Sequence, residues 1–424
     1  MSLRVPAMIR RSAVGLAIVA AACGPLQQPT GSTGAAGPAG TAAEPTPRVA
    51  VPPGAATTPA QTRPRRVALL LPLSGAQRAV AEAIRDGFLA AYLADDPAGG
   101  KPDVMILDEE RPGAAEAYRA AIAAGADRVV GPLLKESVAQ VAAVAGSVPT
   151  LTLNYVDAGG PAPAGFYQFS LAPEDEARQA AMRAASQGLL RAIALAPDSE
   201  WGRRMLNAFT SALEERGGRL LGSRFYDTGA TDFTIPIQRL LLLDESRERQ
   251  RRLAQNLGVS LEFEPRRRGD VDFIFLAANA AAGRLIRPQL RFLYAGDIPT
   301  YATSAVYQAG ARGDADLDGV MFADAPAVLG SDRRAQALRE ELARRWPAGA
   351  ISRMRLYAMG FDAYGLMSVG PPAGSGLAGL SGVLSLDSDG RIHRQLPWAE
   401  FRDGRIVVLD EVMPPDPAAA LAPE

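Results

Sequence analysis

The amino-acid sequence predicts an α/β protein made of two lobes, each a doubly wound sheet with helices on both faces. Continuous apolar segments of strand length alternate with segments in which apolar side chains recur at helical spacing, and this alternation starts twice along the chain. Continuous apolar segments are typical of strands buried on both faces of a parallel sheet. Strands that alternate with helices of this size form parallel sheets covered by helices. Two separate starts favour two lobes over one large sheet.

The first series opens with Val67–Leu73, a continuous apolar run that ends at Ser74 and Gly75 and predicts a buried strand. Apolar side chains at helical spacing from Val80 to Tyr92 predict the helix that follows. The series continues with the predicted strand Val104–Leu107, helix Ala114–Ala124, strand Arg128–Val130, helix Glu136–Ala145 and strand Thr150–Leu153.

The second series opens after Pro173, where Glu174–Glu176 place three negative charges in the first turn of a predicted helix. Negative charge is favoured there because the helix dipole is positive at that end. The further predicted elements are strand Ala192–Ala196, a helix with Met205, Leu206, Phe209 and Leu213, strand Leu220–Tyr226, strand Val271–Leu276, a helix through Leu285 and Leu290, and a helix at Leu356–Val369.

The C-terminal part of the chain predicts a small β-hairpin element near residues 383–409. Its predicted strands are Val383–Leu386, Arg391–Leu396 and Ile406–Leu409. Asp389-Gly390 and Asp403-Gly404 separate these strands, and Asp-Gly is a strong hairpin signal because both residues tolerate positive φ. We expect Trp398 and Phe401, which lie between the strands, to cap a sheet face.

Composition argues against nucleic-acid binders and most classes of enzyme. The 424 residues include 45 basic and 46 acidic side chains, so the chain has no basic excess with which to bind nucleic acid. Cys23 is the only cysteine and His393 the only histidine. This excludes an internal disulfide framework and a thiolate metal cluster, and it almost excludes histidine-based zinc sites and Ser-His-Asp triads. We therefore expect no metal, no cofactor and no catalytic residue.

Residues 1–22 are predicted to be a lipoprotein signal peptide. Three arginines precede the apolar run Ala13–Ala22, which is too short to span a bilayer but has the length of a signal-peptide core. Small residues directly before Cys23 resemble a bacterial lipobox, which implies cleavage and lipidation at that cysteine. Arg10-Arg11 fits a twin-arginine signal only in part, so an ordinary signal is preferred. Gly24, rather than Asp, at the next position implies sorting to the outer membrane.

Residues 23–64 are predicted to be the lipidated cysteine and a disordered tether. Nine of the 41 residues from Gly24 to Pro64 are proline and none is aromatic, so the segment cannot bury enough apolar surface to offset its conformational entropy. Its r.m.s. span would be roughly 35 Å and its extended limit about 130 Å. Residues 65–414 are the predicted two-lobed domain, and residues 415–424 a disordered tail.

Four local patterns have simpler interpretations than the sites they imitate. Gly374–Gly379 matches G-x-G-x-x-G but follows a helix and two prolines rather than a strand, so we expect a flexible loop and not a dinucleotide site. Asp387–Gly390 imitates a calcium loop, but its glycine comes too early, and a hairpin turn is preferred. His393 has no second histidine or cysteine to pair with, and a surface or edge position is expected. Arg266–Arg268 is the densest basic patch, for which a solvated face is expected and a partner contact is the alternative.

Seven stretches, in order along the chain, together resemble the C-terminal domain of the LpoA family, the lipoprotein activators of class A penicillin-binding proteins. They are VALLLPLSGAQRAVAEAIRDGFLAAY (67–92), VVGPLLKESV (129–138), VPTLTLNY (148–155), YQFSLAPEDEARQAA (167–181), DVDFIFLAAN (270–279), IRPQLRFLYAGDIPTYATS (286–304) and LPWAEFRDG (396–404). The resemblance covers nearly all of Arg65–Val412. The stretch 286–304 is the most specific, whereas 67–87 and 131–133 are also similar to amino-acid-binding periplasmic proteins.

The resemblance implies a type I periplasmic-binding-protein fold, in which three chain crossings join two α/β lobes with a cleft between them. It also implies an outer-membrane lipid anchor and stimulation of a peptidoglycan synthase, a class A penicillin-binding protein, in trans. Longer relatives carry an N-terminal helical-repeat domain where this sequence has only the tether. We therefore expect the tether alone to supply the reach.

Candidates for a cleft site follow from the predicted strand ends, because ligands of open α/β sheets bind beyond the carboxyl ends of the strands. The candidates are Ser74, Gly75, Pro132, Leu133, Asn154, Tyr155, Asp297, Tyr301 and Thr303. Ser74 and Thr303 could hydrogen-bond a small polar ligand, and Asp297 could pair with an amine. The alternative for each residue is a role in capping or shaping its own loop.

Three classes of function remain open on the sequence alone. The preferred one is regulatory: an outer-membrane lipoprotein on the periplasmic face that binds and activates a class A penicillin-binding protein and so regulates peptidoglycan synthesis. The second is a periplasmic receptor that passes an amino-acid-like solute to an ABC importer, against which outer-membrane sorting weighs. The third is a wall enzyme with paired carboxylates, but no sequence feature marks such a pair.

Overall fold

The computed structural model describes residues 63–95, 100–156, 163–260, 262–310, 314–330, 333–345, 352–370 and 376–410. The predicted signal peptide, the predicted lipidation site Cys23, nearly all of the predicted tether and the predicted tail 415–424 lie outside these residues. Within them, no helix is both long enough and apolar enough to span a bilayer.

The described elements fall into four consecutive groups. The first is β1 (Arg66–Leu71), α1 (Arg78–Ala94), β2 (Asp103–Asp108), α2 (Ala114–Ala123), β3 (Arg128–Val130), α3 (Lys135–Ala142), β4 (Thr150–Thr152) and β5 (Phe166–Phe169). The second is α4 (Pro173–Ser186), β6 (Arg191–Pro197), α5 (Glu200–Glu215), β7 (Arg219–Tyr226), α6 (Thr234–Leu240), α7 (Leu243–Leu257), β8 (Phe273–Leu276), α8 (Ala280–Leu290), β9 (Thr300–Ala302) and β10 (Val320–Ala323). The third is α9 (Pro326–Leu329), α10 (Arg333–Arg345), α11 (Met354–Val369), β11 (Leu377–Ala378), β12 (Val383–Leu386) and β13 (Arg391–Gln395). The fourth is β14 (Trp398–Arg402) and β15 (Arg405–Asp410).

The described strands form two sheets, one for each predicted lobe. The lobe 1 sheet has the order β11-β12-β13-β5-β4-β3-β1-β2, and the lobe 2 sheet the order β15-β14-β10-β9-β8-β6-β7. From β13 to β2 and from β10 to β7 all neighbours are parallel, and the remaining pairs at one edge of each sheet are antiparallel. The prediction of two doubly wound α/β lobes is confirmed.

The burial of the central strands on both faces explains why continuous apolar segments predicted these strands correctly. Residues 67–71 of β1 and all of β8 are at most 1% exposed, because helices cover both faces of the parallel sheets. In lobe 1, α1 and α11 pack so closely that their backbones meet. A Cβ atom on Gly87 would lie 2.0 Å from the Tyr357 carbonyl oxygen, and one on Gly360 would lie 1.9 Å from that of Ile84. Only glycine fits these two positions.

The predicted β-hairpin element near residues 383–409 is wrong as a single unit. Its first hairpin, β12–β13, extends the lobe 1 sheet, whereas β14–β15 forms the edge of the lobe 2 sheet. Both Asp-Gly turns are confirmed, since each joins an antiparallel pair. Trp398 and Phe401 do not cap a sheet from outside but belong to strand β14. They pack into different core clusters, on opposite faces of the sheet, and this two-sided burial hid the strand from a simple alternation pattern.

The described chain passes between the lobes three times, at residues 170–172, 324–325 and 396–397. The first two crossings leave the carboxyl ends of β5 and β10, and the third leaves the end of β13, which runs parallel to β5. The carboxyl edges of the two sheets therefore face each other along one boundary, which we call the seam. Consequently the amino edges of the two sheets lie at opposite ends of the domain.

Candidate functional site

Six of the nine cleft candidates lie at the carboxyl edge of lobe 1. Ser74 and Gly75 follow β1, Pro132 and Leu133 follow β3, and Asn154 and Tyr155 follow β4. The structure thus brings three loops to one edge, beside the seam. Their polar groups, however, are largely engaged within the lobe, as the next contacts show.

Glu109 occupies the position at this edge where an anionic ligand would be expected. Its carboxylate accepts hydrogen bonds from the backbone N–H groups of Leu133 (2.7 Å) and Leu134 (2.9 Å), at the start of α3. The N-terminus of a helix is a ready anion site because its first N–H groups have no partner in the helix. Glu109 is only 1% exposed, and burial raises its pKa to about 7 against the opposing effect of these hydrogen bonds. The chain itself therefore fills the anion position.

The remaining lobe 1 candidates mainly hold their own loops together. The Ser74 hydroxyl donates to Asp108, and Gly75 lies against the carboxylate of Glu110. Asn154 donates to the Leu133 carbonyl oxygen at 3.0 Å, which ties the loop after β4 to the loop after β3. The Tyr155 hydroxyl donates to the Ile392 carbonyl oxygen at 2.8 Å, and burial raises its pKa above the ordinary value. A ligand role for these residues stays a prediction.

The three lobe 2 candidates do not lie together. Thr303 follows the carboxyl end of β9 and is fully buried at the seam. Tyr301 lies inside β9, packed edge-on against Phe273 and Trp398, and its hydroxyl donates to Gln187 at the far end of α4. Placing Asp297 at the cleft is wrong, because it precedes β9 and so lies at the amino edge of the sheet. There it pairs with Arg267 at 2.6 Å.

Two ion pairs with buried carboxylates bridge the seam at the crossings. Arg355 of α11 binds the Asp324 carboxylate through two hydrogen bonds of 2.8 and 2.5 Å, and it also donates to the Ser304 carbonyl oxygen. Arg394 of β13 lies 3.6 Å from Glu176 of α4, whose other oxygen accepts from Ser304 N–H at 2.9 Å. Each pair joins a lobe 1 cation to a carboxylate at the lobe 2 side.

Burial disfavours the charged form of both Glu176 and Arg355, but it determines the direction of the pKa shift only for Glu176. Glu176 is 6% exposed, and burial raises its pKa despite the nearby Arg394 guanidinium. For Arg355, burial lowers the pKa of the guanidinium. The attraction to the Asp324 carboxylate, which is 1% exposed, outweighs this effect and raises the pKa of Arg355 above its ordinary value. Arg355 therefore stays charged at the seam.

Neutral contacts reinforce the same boundary. The Gln179 side chain, on α4, donates to the Arg394 carbonyl oxygen at 2.9 Å and accepts from Leu396 N–H at 2.9 Å. A single glutamine from lobe 2 thus holds the backbone of the third crossing on both sides. These contacts, like the two ion pairs, brace the seam at and beside the crossings.

His393 has a more specific environment than the surface or edge position expected of it. One ring nitrogen lies 2.9 Å from Asp387 of lobe 1 and the other 3.5 Å from Asp175 of α4 in lobe 2. Hydrogen bonding to Asp175 is the main factor that raises the pKa of His393 to about 8, and Asp387 adds to it against partial burial. At neutral pH the ring is therefore mostly protonated and links carboxylates of both lobes.

The seam also contains polar atoms that the described residues leave without a hydrogen-bond partner. They are Thr303 Oγ1, Asp175 Oδ2, and Nε and Nη2 of Arg394. Nearby, a small pocket of about 50 Å³ is lined by residues of both lobes, among them Tyr307, Val328 and Arg355. Buried polar atoms without protein partners are usual places for ordered water or a small polar ligand.

The four charged residues of the two seam ion pairs, Glu176, Asp324, Arg355 and Arg394, were not predicted from the sequence. Glu174–Glu176 were assigned to the helix N-terminus, and α4 does begin at Pro173. Asp175 and Glu176 are nevertheless buried, which a solvated first turn would not require. Asp324, Arg355 and Arg394 lie in separate segments, so no local pattern links them.

The imitated sites have the following outcomes. Asp387–Gly390 forms the turn between β12 and β13, as preferred. Of Gly374–Gly379, residues 374 and 375 lie outside the described residues, whereas Leu377–Ala378 form strand β11 at the edge of the lobe 1 sheet, so the expected loop is wrong for that part. Among the residues that the structure describes, no group of three or more histidine, cysteine or acidic side chains could hold a metal ion.

A family model described as LppC putative lipoprotein matches residues 32–404. The chain belongs to this family. Curated relatives include the penicillin-binding protein activator LpoA of Vibrio cholerae, 30% identical over 348 residues, and that of Yersinia pseudotuberculosis, 29% identical over 409 residues. These alignments cover 80% and 82% of this chain but 57% and 62% of the relatives. The chain therefore spans about three fifths of their length, and it is similar to them through the two-lobed domain.

Solved structures give the same relation. The LpoA C-domain of Haemophilus influenzae, described as a regulator of PBP1A, matches with a TM-score of 0.63 and 24% identity, over 81% of this chain and 100% of that domain. A putative branched-chain amino acid ABC transporter protein of Chromobacterium violaceum matches with a TM-score of 0.59 and 26% identity, over 79% of this chain and 99% of that one. The fold is thus that of periplasmic binding proteins, as the sequence resemblance implies.

Proposed function

We propose that this protein is an outer-membrane lipoprotein, anchored through Cys23, that binds and activates a class A penicillin-binding protein and so regulates peptidoglycan synthesis. One observation carries the proposal: 80% of this chain aligns at 30% identity with the penicillin-binding protein activator LpoA of Vibrio cholerae. The LppC lipoprotein family model, which matches from residue 32, supports the lipoprotein part.

The lobe 1 edge supports this function over solute transport. A receptor for an amino-acid-like solute needs a free anion position at its carboxyl strand ends. Here Glu109 holds the two N–H groups at the start of α3, and Asn154 and Tyr155 bond within lobe 1. The similarity to ABC transporter proteins concerns the fold. Any small polar ligand would instead meet the unpartnered atoms at the seam, beside Thr303 and Arg394.

Activation by binding needs no chemistry from this domain. A regulator changes its partner's activity by binding the active conformation more tightly, and coupling of this kind typically amounts to about 1–3 kcal/mol, or roughly 5–150-fold. The affected quantity is the rate of the synthase, and the effect saturates with the concentration of the regulator. The proposal assigns residues 23–64 the role of a tether with a span of roughly 35 Å.

The decisive experiment measures glycan-strand polymerisation and peptide cross-linking by the purified cognate synthase, with and without residues 65–424. We expect either rate to rise and to saturate as the domain is added. Shortening the tether between Gly24 and Pro64 should abolish the effect in cells and leave it intact with purified proteins, because only reach is lost. If neither rate changes while the domain binds a free amino acid in the micromolar range, the ABC-receptor alternative replaces the proposal.

A further inference from the structure

The amino edge of the lobe 2 sheet exposes an unusual share of large hydrophobic side chains. Of the fifteen such side chains exposed in the described residues, six lie in the two short segments 243–268 and 291–297. They are Leu253, Leu257, Val259, Phe263, Phe292 and Tyr294. The ion pair between Arg267 and Asp297 joins the two segments. We call these six side chains, together with Arg249, Arg251, Arg252 and Arg266–Arg268, the distal surface.

Phe292 and Tyr294 are held outward by a rigid local structure. Phe292 is 82% exposed and Tyr294 45% exposed, while the alternating Leu293 and Ala295 are buried. Tyr294 has φ of 65°, a left-handed conformation that is unfavourable for a tyrosine and needs support from its surroundings.

That support comes from below the segment. The buried Arg287 donates to the carbonyl oxygens of Gly296 and Asp318, each at 3.1 Å, and to the Thr300 hydroxyl at 3.3 Å. A backbone fixed in this way presents its aromatic side chains with little cost of backbone ordering on binding. Exposed aromatic residues and arginines are also the residue types that contribute most to protein–protein affinity.

Helix α7 adds a second, cationic part to the distal surface. Only Leu243 and Ser246 of its fifteen residues are buried, so most of the helix is in contact with solvent. Segment 243–268 has seven arginines and five acidic residues. Five of these arginines form ion pairs with carboxylates of this chain, and Arg251 and Arg266 are the two for which the described residues show no ion pair. The small excess of positive charge favours a partner whose docking face carries carboxylates.

The position of the distal surface fits a tethered protein. The chain enters lobe 1 at the amino edge of its sheet, where Arg65 N–H donates to Asp127 just before β1 begins at Arg66. Because the carboxyl edges of both sheets meet at the seam, the amino edge of lobe 2 is at the opposite end of the domain. A partner approached by the free end of the tethered domain meets this surface first.

We propose that the distal surface is the docking site for the penicillin-binding protein, with Phe292 and Tyr294 inserted into an apolar pocket bordered by carboxylates on its periplasmic face. This inference rests on the proposed function and names the contact surface within it.

The test measures binding of the purified synthase to the mature chain carrying Cys23→Ala, by surface plasmon resonance, together with the polymerisation rate. Phe292→Ser and Tyr294→Gly should each weaken binding by about 10-fold or more, as expected for an aromatic anchor. Arg251→Glu combined with Arg266→Glu should slow association and reduce its salt dependence. Val369→Ser, which changes a 68% exposed side chain on lobe 1, is the matched control and should bind like the wild type. Phe292→Ser, the double arginine variant and Val369→Ser should unfold at the wild-type urea midpoint, and Tyr294→Gly at or above it, because glycine tolerates the left-handed conformation.

The possible failures are distinguishable. If the wild-type chain neither binds nor stimulates the synthase, the proposed function fails and this inference with it. If the wild-type chain binds and stimulates but Phe292→Ser and Tyr294→Gly bind equally well, only the docking surface is refuted. The inference is also overturned if the variants keep their affinity for the synthase but lose another interaction of the wild-type chain. Loss of binding to phosphatidylglycerol vesicles would assign the surface to a membrane, and loss of self-association in sedimentation would assign it to a second copy.

Discussion

Replacing Glu109 with alanine tests whether the chain's own carboxylate fills the anion position at the start of α3. The substitution removes the buried acceptor of the Leu133 and Leu134 N–H groups, which are themselves partly buried. Each unsatisfied buried donor costs about 1–3 kcal/mol, so the two lost bonds should lower the free energy of unfolding by about 2–6 kcal/mol.

Burial of the wild-type carboxyl group acts in the opposite direction and depends on pH. It raises the pKa of Glu109 from 4.5 to about 7, which corresponds to about 3 kcal/mol of stability lost on ionisation. Because the folded pKa lies above the unfolded one, the folded chain holds the proton more tightly. The wild-type free energy of unfolding therefore falls as pH rises from 4.5 to about 7, a decrease that the variant lacks. Glu109→Ala should thus destabilise the chain most near pH 5 and about 3 kcal/mol less at pH 8.

Urea unfolding of the wild type and of Glu109→Ala at pH 5 and pH 8 measures both quantities. Sodium acetate should restore part of the variant's stability, since a small carboxylate can occupy the vacated position and binding to the folded state alone is stabilising. Glu110→Ala, which removes the adjacent exposed carboxylate, is the control and should change little. The reasoning is refuted if Glu109→Ala unfolds like the wild type at both pH values, or if acetate stabilises the two chains equally.

Three other substitutions probe the anchor and the seam. Cys23→Ala should abolish lipidation, so the protein should lose its association with the outer membrane; fractionation with the outer membrane at wild-type levels would contradict this. Arg355→Met should lower the free energy of unfolding by about 3–5 kcal/mol, because it leaves the buried Asp324 carboxylate without its partner, and urea unfolding at pH 7 measures this. His393→Gln should destabilise the chain at pH 6 and progressively less as the pH rises through about 8, because the wild-type ring then loses the proton that binds Asp175. A melting-temperature difference between variant and wild type that stays constant from pH 6 to pH 9 would disprove the assignment.

The parallel cores of the two lobes could be predicted from the sequence because their strands are buried on both faces. Val67–Leu73 and Ala192–Ala196 are continuous apolar segments, and the corresponding β1 and β6 begin within one residue of the predicted starts. The three-residue strand Thr300–Ala302 was missed, whereas the equally short β3 and β4 were predicted because each lies between two predicted helices or beside one.

The assignment of strand ends to the cleft depended on register as well as on strand identity. Asp297 was placed at the cleft as a residue at the carboxyl end of a strand, but the strand begins only at Thr300, after it. A residue before a parallel strand lies at the opposite edge from a residue after it, so an error of a few residues moves a side chain across the whole sheet. Thr303, three residues past Thr300, does lie at the seam.

The charged seam could not be predicted because its partners are distant in sequence. Arg394 lies 218 positions after Glu176, and Arg355 lies 31 positions after Asp324. Each charge alone has the pattern of an ordinary solvated side chain. Only the three crossings, which bring these segments together, turn them into buried pairs. The seam therefore depends on the topology of the chain, whereas the strands could be recognised from their local apolar pattern.

The bonded seam bears on how the domain acts. A solute receptor admits and closes on its ligand by rotating one lobe against the other. Such a rotation here would strain the contacts of Arg355 with Asp324 and Ser304, and those of Gln179 with the third crossing. Removing one partner of a buried ion pair costs several kcal/mol, so these contacts resist separation. Under the proposed function, a domain braced at its crossings in this way offers the synthase a defined surface, and it favours the active conformation of the synthase through differential affinity alone.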